Sequence, residues 1–188
     1  MKAGAMIDRQ QAAVLDFWFR ELGPPDWFGA GERLDPIVRD RFAALHAQAM
    51  SGALDSWAQT PLGRLALIIV LDQFSRHIHR GTAEAFAADT KAQHLTLDGL
   101  AAQEDEHLTF AQRHFFYMPL MHAESQELQK LSLERFAALR DFAEDLVQFA
   151  QGHSDEIQRF GRFPLRNGAL GRVSSAEETA FQATAKAR

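Results

Sequence analysis

The chain has no cysteine at all, and that single absence removes several chemistries at once. Disulfides, thiolate zinc sites and cysteine nucleophiles are excluded outright. Long apolar runs are missing too: the longest, Leu65-Ala66-Leu67-Ile68-Ile69-Val70-Leu71, is about a third of what a membrane-spanning helix requires. There is no excess of positive charge, since 20 Lys and Arg stand against 25 Asp and Glu for a formal charge of −5. A nucleic-acid partner therefore has no electrostatic footprint. After Lys2 only Ala3-Gly4-Ala5-Met6-Ile7 precede Asp8, too short for the apolar core of a signal peptide. The expectation is a protein of the cytoplasmic type, with no membrane and no nucleic acid among its partners.

Strand signals are equally scarce, with no β-branched alternation and no Asn-Gly hairpin. What is present is helical periodicity. Val14, Phe17, Trp18 and Leu22 fall on one helix face, and Gly23-Pro24-Pro25 reads as its stop, with a loop through Trp27, Phe28 and Gly31 after it. Leu34, Ile37, Val38, Arg41, Phe42, Leu45 and Ala49 mark a second helix ending near Ser51-Gly52. Thr60-Pro61 is a start signal, a hydroxyl cap followed by proline in the first turn. The helix it opens, to about His77, is apolar on every side and should be the enclosed centre of the fold.

Residues 83 to about 101 read as a fourth helix, with Asp89, Lys91 and Asp98 on a wet face. A shorter aromatic helix comes next over 105–118, which Pro119 should kink or end. The longest candidate covers about 122–151 with Gly152 as its end, and a short turn is expected at 153–160. Ser175 and Glu178 form a capping box for a last helix reaching Lys186. At 188 residues the chain has the size of one ordinary domain. The expected fold is thus all-α, a single-domain antiparallel helical array of about seven to nine helices. A search for a repeat of the length found in helical solenoids gives nothing firm.

Three polar stretches stand out against this background. The first, Asp72-Gln73-Phe74-Ser75-Arg76 with His77, His79 and Arg80, comes directly after the apolar run. Asp72 and Arg76 share a helix face, and burying them is costly unless both are partnered. They either pair with each other or belong to a polar pocket. The second holds His114, His122 and Glu124. Imidazole and carboxylate suit a metal, but Pro119 lies between the histidines and no His-Glu-x-x-His pattern occurs, so no metal site and no cofactor is assigned. The third carries Arg159, Arg162, Arg166 and Asn167, with Arg172 beyond: four arginines and no acid from Ile157 to Ala176. Guanidinium groups grip carboxylate or phosphate with paired bonds; alternatively these tie down an irregular loop. His153 opens the segment, and could cap a turn or join the cluster. Trp18, Trp27, Phe28 and Trp57 read as core and loop anchors. No Gly-x-Gly-x-x-Gly, Walker loop or nucleophile elbow is present.

These residues carry a family resemblance from about Val14 to Phe181. Val14-Leu15-Asp16-Phe17-Trp18-Phe19, Trp27-Phe28, Leu71-Asp72-Gln73-Phe74-Ser75-Arg76, Arg80-Gly81-Thr82 with Ala85-Phe86-Ala87, Tyr117 through Glu124, and Arg159 through Pro164 with Arg166-Asn167 occur in one order. The chain resembles the bacterial domain-of-unknown-function family 924. The resemblance implies a tetratricopeptide-like helical fold and brings no agreed activity or cofactor. Ser75 stands where proline is usual, and Leu165 where histidine is usual.

Three functions are compatible with this reading. The preferred one is a binding module, in which Asp72, Gln73, Arg76, Arg80, His122, Glu124, Arg159, Arg162, Arg166 and Asn167 line a pocket for a small anion or an acidic peptide end. The second is a hydrolase with Asp72 or Glu124 as base, His122 as proton shuttle, and Arg162 and Arg166 stabilising an oxyanion. The third is a structural cluster, with function at a protein interface elsewhere. The sequence leaves ligand and oligomeric state open.

Overall fold

The side chain of Asp8 accepts the amide of Gln10 and opens the first helix, α1 (Arg9–Asp16). In the computed structural model, which describes residues 8–29 and 31–185, every regular element is helical. The segment before Asp8, considered above as a signal peptide, lies outside the described residues, as does Lys186. Helix α1 runs on into a wide π-type turn, Phe17–Glu21, where Leu22 donates back to the Phe17 carbonyl at 3.2 Å.

Gly23-Pro24-Pro25 stops that helix as expected, but the loop expected through Trp27 and Phe28 is a short helix, α2 (Pro24–Gly29). Proline placed just past one helix also suits the first turn of the next, and Asp26 accepts the Gly23 amide at 3.1 Å to cap that turn. Helix α3 (Gly31–Met50) buries Leu34, Val38, Phe42, Leu45 and Ala49 of the predicted stripe, while Ile37 is exposed and Arg41 pairs with Glu21 at its edge.

Thr60 caps α4 (Pro61–Ile68), its hydroxyl accepting from the Gly63 amide. The helix continues through a second wide turn, Ile69–Phe74, into α5 (Ser75–Ile78). Leu65 through Leu71 are completely buried, so the central position read from the sequence holds. α1, α3, α6 (Asp89–Ala101) and α7 (Phe110–Met121) pack around α4 and the turn that extends it. The two wide turns meet at one ring: Phe74 lies 6.0 Å from Phe17 and 5.8 Å from Trp18.

Four boundaries move. The fourth helix splits into a 3-10 turn, Ala83–Phe86, and α6. The aromatic helix starts at Phe110, because Thr109 and Gln112 form a capping box, and the residues before it make a 3-10 turn, Glu104–His107. Pro119 sits within the last turn of α7 and the helix ends two residues later. The longest helix, α8 (Gln126–Phe160), passes straight through Gly152, so the turn expected at 153–160 is helical. A lone glycine weakens a helix by about 1 kcal/mol relative to alanine, too little to break one of this length. The last helix is α9 (Ala176–Ala185).

The chain divides into two compact units, one up to Ala137 and the other from Ala138, the division falling within α8. Among the described residues, no helix is long and apolar enough to cross a membrane.

Candidate functional site

Asp72 is the polar centre of the first unit. The wide turn at Ile69–Phe74 places it at the end of the apolar run, where it is fully buried. A carboxylate in such surroundings survives only if its oxygens are taken up, and they are. Gln73 Nε2 donates to Oδ2 at 2.6 Å, and His122 Nδ1 lies 2.8 Å from Oδ1. Arg76 Nη1 approaches the same Oδ1 at 3.4 Å and donates to the Asp72 carbonyl at 3.0 Å.

Arg76 is itself clamped from the other side. Its two terminal nitrogens donate to the two oxygens of Asp89 at 2.9 and 3.1 Å, a paired geometry that only a guanidinium offers. Asp89 opens α6, where a carboxylate also meets the positive end of the helix. The Phe86 ring lies 5.4 Å from the Arg76 guanidinium.

These groups border a cleft of about 690 Å³, lined by Arg76, Phe86, Asp89, His122, Glu124 and Ser125 among others. His122 caps the end of α7, so the residue that ends one helix bridges the buried Asp72 to the cleft. With Asp72 Oδ1 as acceptor, Nδ1 carries the proton and Nε2 is the free acceptor of the neutral ring. Glu124 is exposed. The Ser125 hydroxyl accepts from the Leu128 amide at 3.4 Å.

Arg80 joins a separate cluster in which Asp35 accepts from Arg80 Nη2 at 2.8 Å and from His77 Nδ1 at 2.8 Å. The Arg80 bond holds the Asp35 carboxyl below its ordinary range. Ser75, the residue standing for proline, donates to the Leu71 carbonyl at 2.6 Å and meets buried His46 Nε2 at 2.7 Å. His114 is packed against Phe28, Phe115 and Phe136, and burial lowers its pKa. Among the described residues, no three His, Asp or Glu side chains gather as a metal-holding group.

The arginine segment belongs to the second unit and finds its partners there. Arg162 donates to both oxygens of Glu178 at 2.6 and 2.8 Å and to the Val173 carbonyl at 3.0 Å. Arg159 donates to Glu177 at 2.7 Å. Asn167 is fully buried, its amide donating to Ser174 at 3.0 Å, and Arg166 lies over the Phe163 ring at 4.3 Å. Arg172 donates to the Phe163 carbonyl at 3.1 Å. His153 faces Phe163, their ring centres 5.6 Å apart. The acids that answer these arginines begin at Glu177, one residue past the stretch that holds none.

So Asp72, Gln73, Arg76, His122 and Glu124 gather at one site. Asp89, Phe86 and Ser125 join them, although their sequence does not single them out. For Asp89 and Phe86 the available signal is that Phe86 sits in a family segment and Asp89 closely follows it.

Among curated proteins, none matches the chain. The solved structure of a protein of unknown function from Agrobacterium tumefaciens is similar to it, with 34% identity over 91% of this chain and 95% of that one, at a TM-score of 0.62. A family model described as bacterial protein of unknown function matches residues 14–185. The chain therefore belongs to that bacterial family, DUF924.

Proposed function

We propose that the cleft of the first unit is a small-molecule site where His122, oriented by Asp72, acts as the proton-exchanging group of a hydrolytic reaction. One observation supports this above the others: the His122 ring has Nδ1 2.8 Å from a fully buried carboxylate while bordering a cleft of about 690 Å³. A base held by a third group in this way is ready to draw a proton from water or a hydroxyl, and the carboxylate stabilises the imidazolium that forms. Arg76 lines the same cleft with its charge already paired to Asp89, so the reading rests on the histidine and its carboxylate. Such a base contributes about 10²–10⁴-fold in rate.

The reading as a receptor for a small anion or acidic peptide end has less behind it. Arg76 is already neutralised by Asp89, and Arg159 and Arg162 by Glu177 and Glu178. A structural role has one specific point in its favour: Asp72, Arg76, Asp89 and His122 satisfy one another and tie the wide turn to α6 and to the end of α7.

A panel of chromogenic esters, amides and phosphoesters separates the two. The expected result is turnover of at least one class, reduced by about 10²–10⁴-fold in His122→Ala when assayed at a temperature where the variant is still folded. Turnover unchanged in His122→Ala removes the hydrolase reading. No turnover, together with a loss of about 1–3 kcal/mol of stability in the same variant, assigns the network to structure alone.

A further inference from the structure

Asp72 holds the His122 ring from one side, and the loop between α7 and α8 holds it from the other. Gln129 Nε2, in the first turn of α8, donates to the Met121 carbonyl at 2.7 Å and to the Ala123 carbonyl at 2.9 Å. Both chain neighbours of His122 are thereby fixed. Ser125 closes the loop: its hydroxyl accepts the Leu128 amide at 3.4 Å and its carbonyl accepts the Gln129 amide at 2.9 Å. Three residues of chain reach about 10–11 Å at most, and this stretch is pinned along its length. His122 and Ser125 therefore keep a set relation in the lining of one cleft. The capping bond uses a lone pair of the Ser125 hydroxyl and leaves its proton free. Among the described residues that proton has no acceptor, and His122 Nε2 has no donor. The lining holds one other hydroxyl, Thr90, a secondary alcohol in the first turn of α6.

We propose that Ser125 is the nucleophile of the hydrolysis assigned to this cleft, a role that rests on that assignment, with His122 as its base and Asp72 orienting the base. The substrate class narrows to carboxylic esters and amides, and the reaction passes through an acyl-serine instead of direct attack by water. Ser125 Oγ bonds to the carbonyl carbon while its proton passes to His122 Nε2. The bond to the leaving oxygen or nitrogen then breaks, and His122 gives that proton to the leaving group. Water attacks the acyl-serine next and surrenders a proton to His122. The bond to Ser125 Oγ breaks, the carboxylic acid departs, and the proton returns to Oγ. The first amides of a helix lack an acceptor within it. Those of Gln126 and Glu127 open α8 immediately after Ser125 and serve the oxyanion.

Because the chain has no cysteine, one test needs no substrate. Ser125→Cys introduces a single thiol, and a histidine base beside it lowers the pH at which it ionises. Iodoacetamide at pH 6.5 is expected to alkylate it about tenfold faster than in Ser125→Cys combined with His122→Ala. Equal rates overturn the proposal, because Ser125 is then out of reach of His122. On the unaltered protein a fluorophosphonate is expected to add once, with loss of fluoride, at Ser125 by peptide mass mapping. Ester turnover is expected to begin with a burst equal to the amount of protein. Ser125→Asn keeps an N-cap residue and so the start of α8. It should lose as much turnover as His122→Ala, and the double variant little more, since groups acting as a unit are not additive. Turnover lost in His122→Ala but kept in Ser125→Asn overturns the nucleophile and leaves the hydrolytic reading standing, with water attacking directly. A wild type with neither turnover nor adduct removes both.

Discussion

Glu178 serves as a cap and as an ion-pair partner at the same time. Its carboxylate accepts from the Ser175 amide at 2.7 Å, closing the capping box, and from both donors of Arg162. The Arg162 bond, then the Ser175 amide, bring its pKa down to about 2 from an ordinary 4.5. A lowered carboxyl pKa contributes stability that is complete above the ordinary value and disappears as pH falls toward the folded one. The second unit should therefore lose stability between about pH 4.5 and 2. His46 acts in a higher window. Burial, then the neighbouring His79, lower its pKa below 6.5, so its contribution is present above pH 6.5 and is lost as pH falls further. Melting temperatures across pH should show two acid limbs. Glu178→Gln should flatten the lower one and leave the upper, and identical profiles for the variant and wild type would contradict the assignment. The capping box is legible from Ser175 and Glu178 alone. The arginine that shares Glu178 is not, because sixteen residues and a loop separate them.

At the scale of elements, the start of the central helix shows what short-range chemistry announces. Thr60 and Pro61 mark it, and the hydroxyl caps Gly63 as that reading requires. Gly63 has a further reason: a Cβ there would stand 2.3 Å from the Trp57 carbonyl and 2.8 Å from the Thr60 hydroxyl. Both neighbours belong to the cap itself, so the backbone must move. Gly63→Ala should cost about 1–3 kcal/mol, visible in a urea midpoint shifted down at unchanged slope; an unshifted midpoint would mean the cap yields freely. The Thr109 and Gln112 box is written just as locally, yet a helix read from 105 passes over it, and it is this box that starts α7 at Phe110. The wide turns are not legible, since an extra residue in a helix leaves no mark in an apolar stretch. Gly152 misleads because a residue that weakens a helix need not end it.

For the molecule as a whole, periodicity and family resemblance lead to an all-helical chain, and both are sound. Within the first unit the convergence of two polar stretches is legible. Asp72 and Arg76 meet His122, whereas the arginine stretch has acids of its own in the second unit. Sequence can show that those arginines need anions, not which anions they find. A π-type turn is in effect one surplus residue taken into a continuous helix, often at functional positions. Such a turn, at Ile69–Phe74, carries Asp72. A lineage that shed one codon there could keep every helix of the family and forfeit the arrangement about this carboxylate. The helical scaffold would then outlast the hydrogen-bonded carboxylate that the surplus residue holds in place.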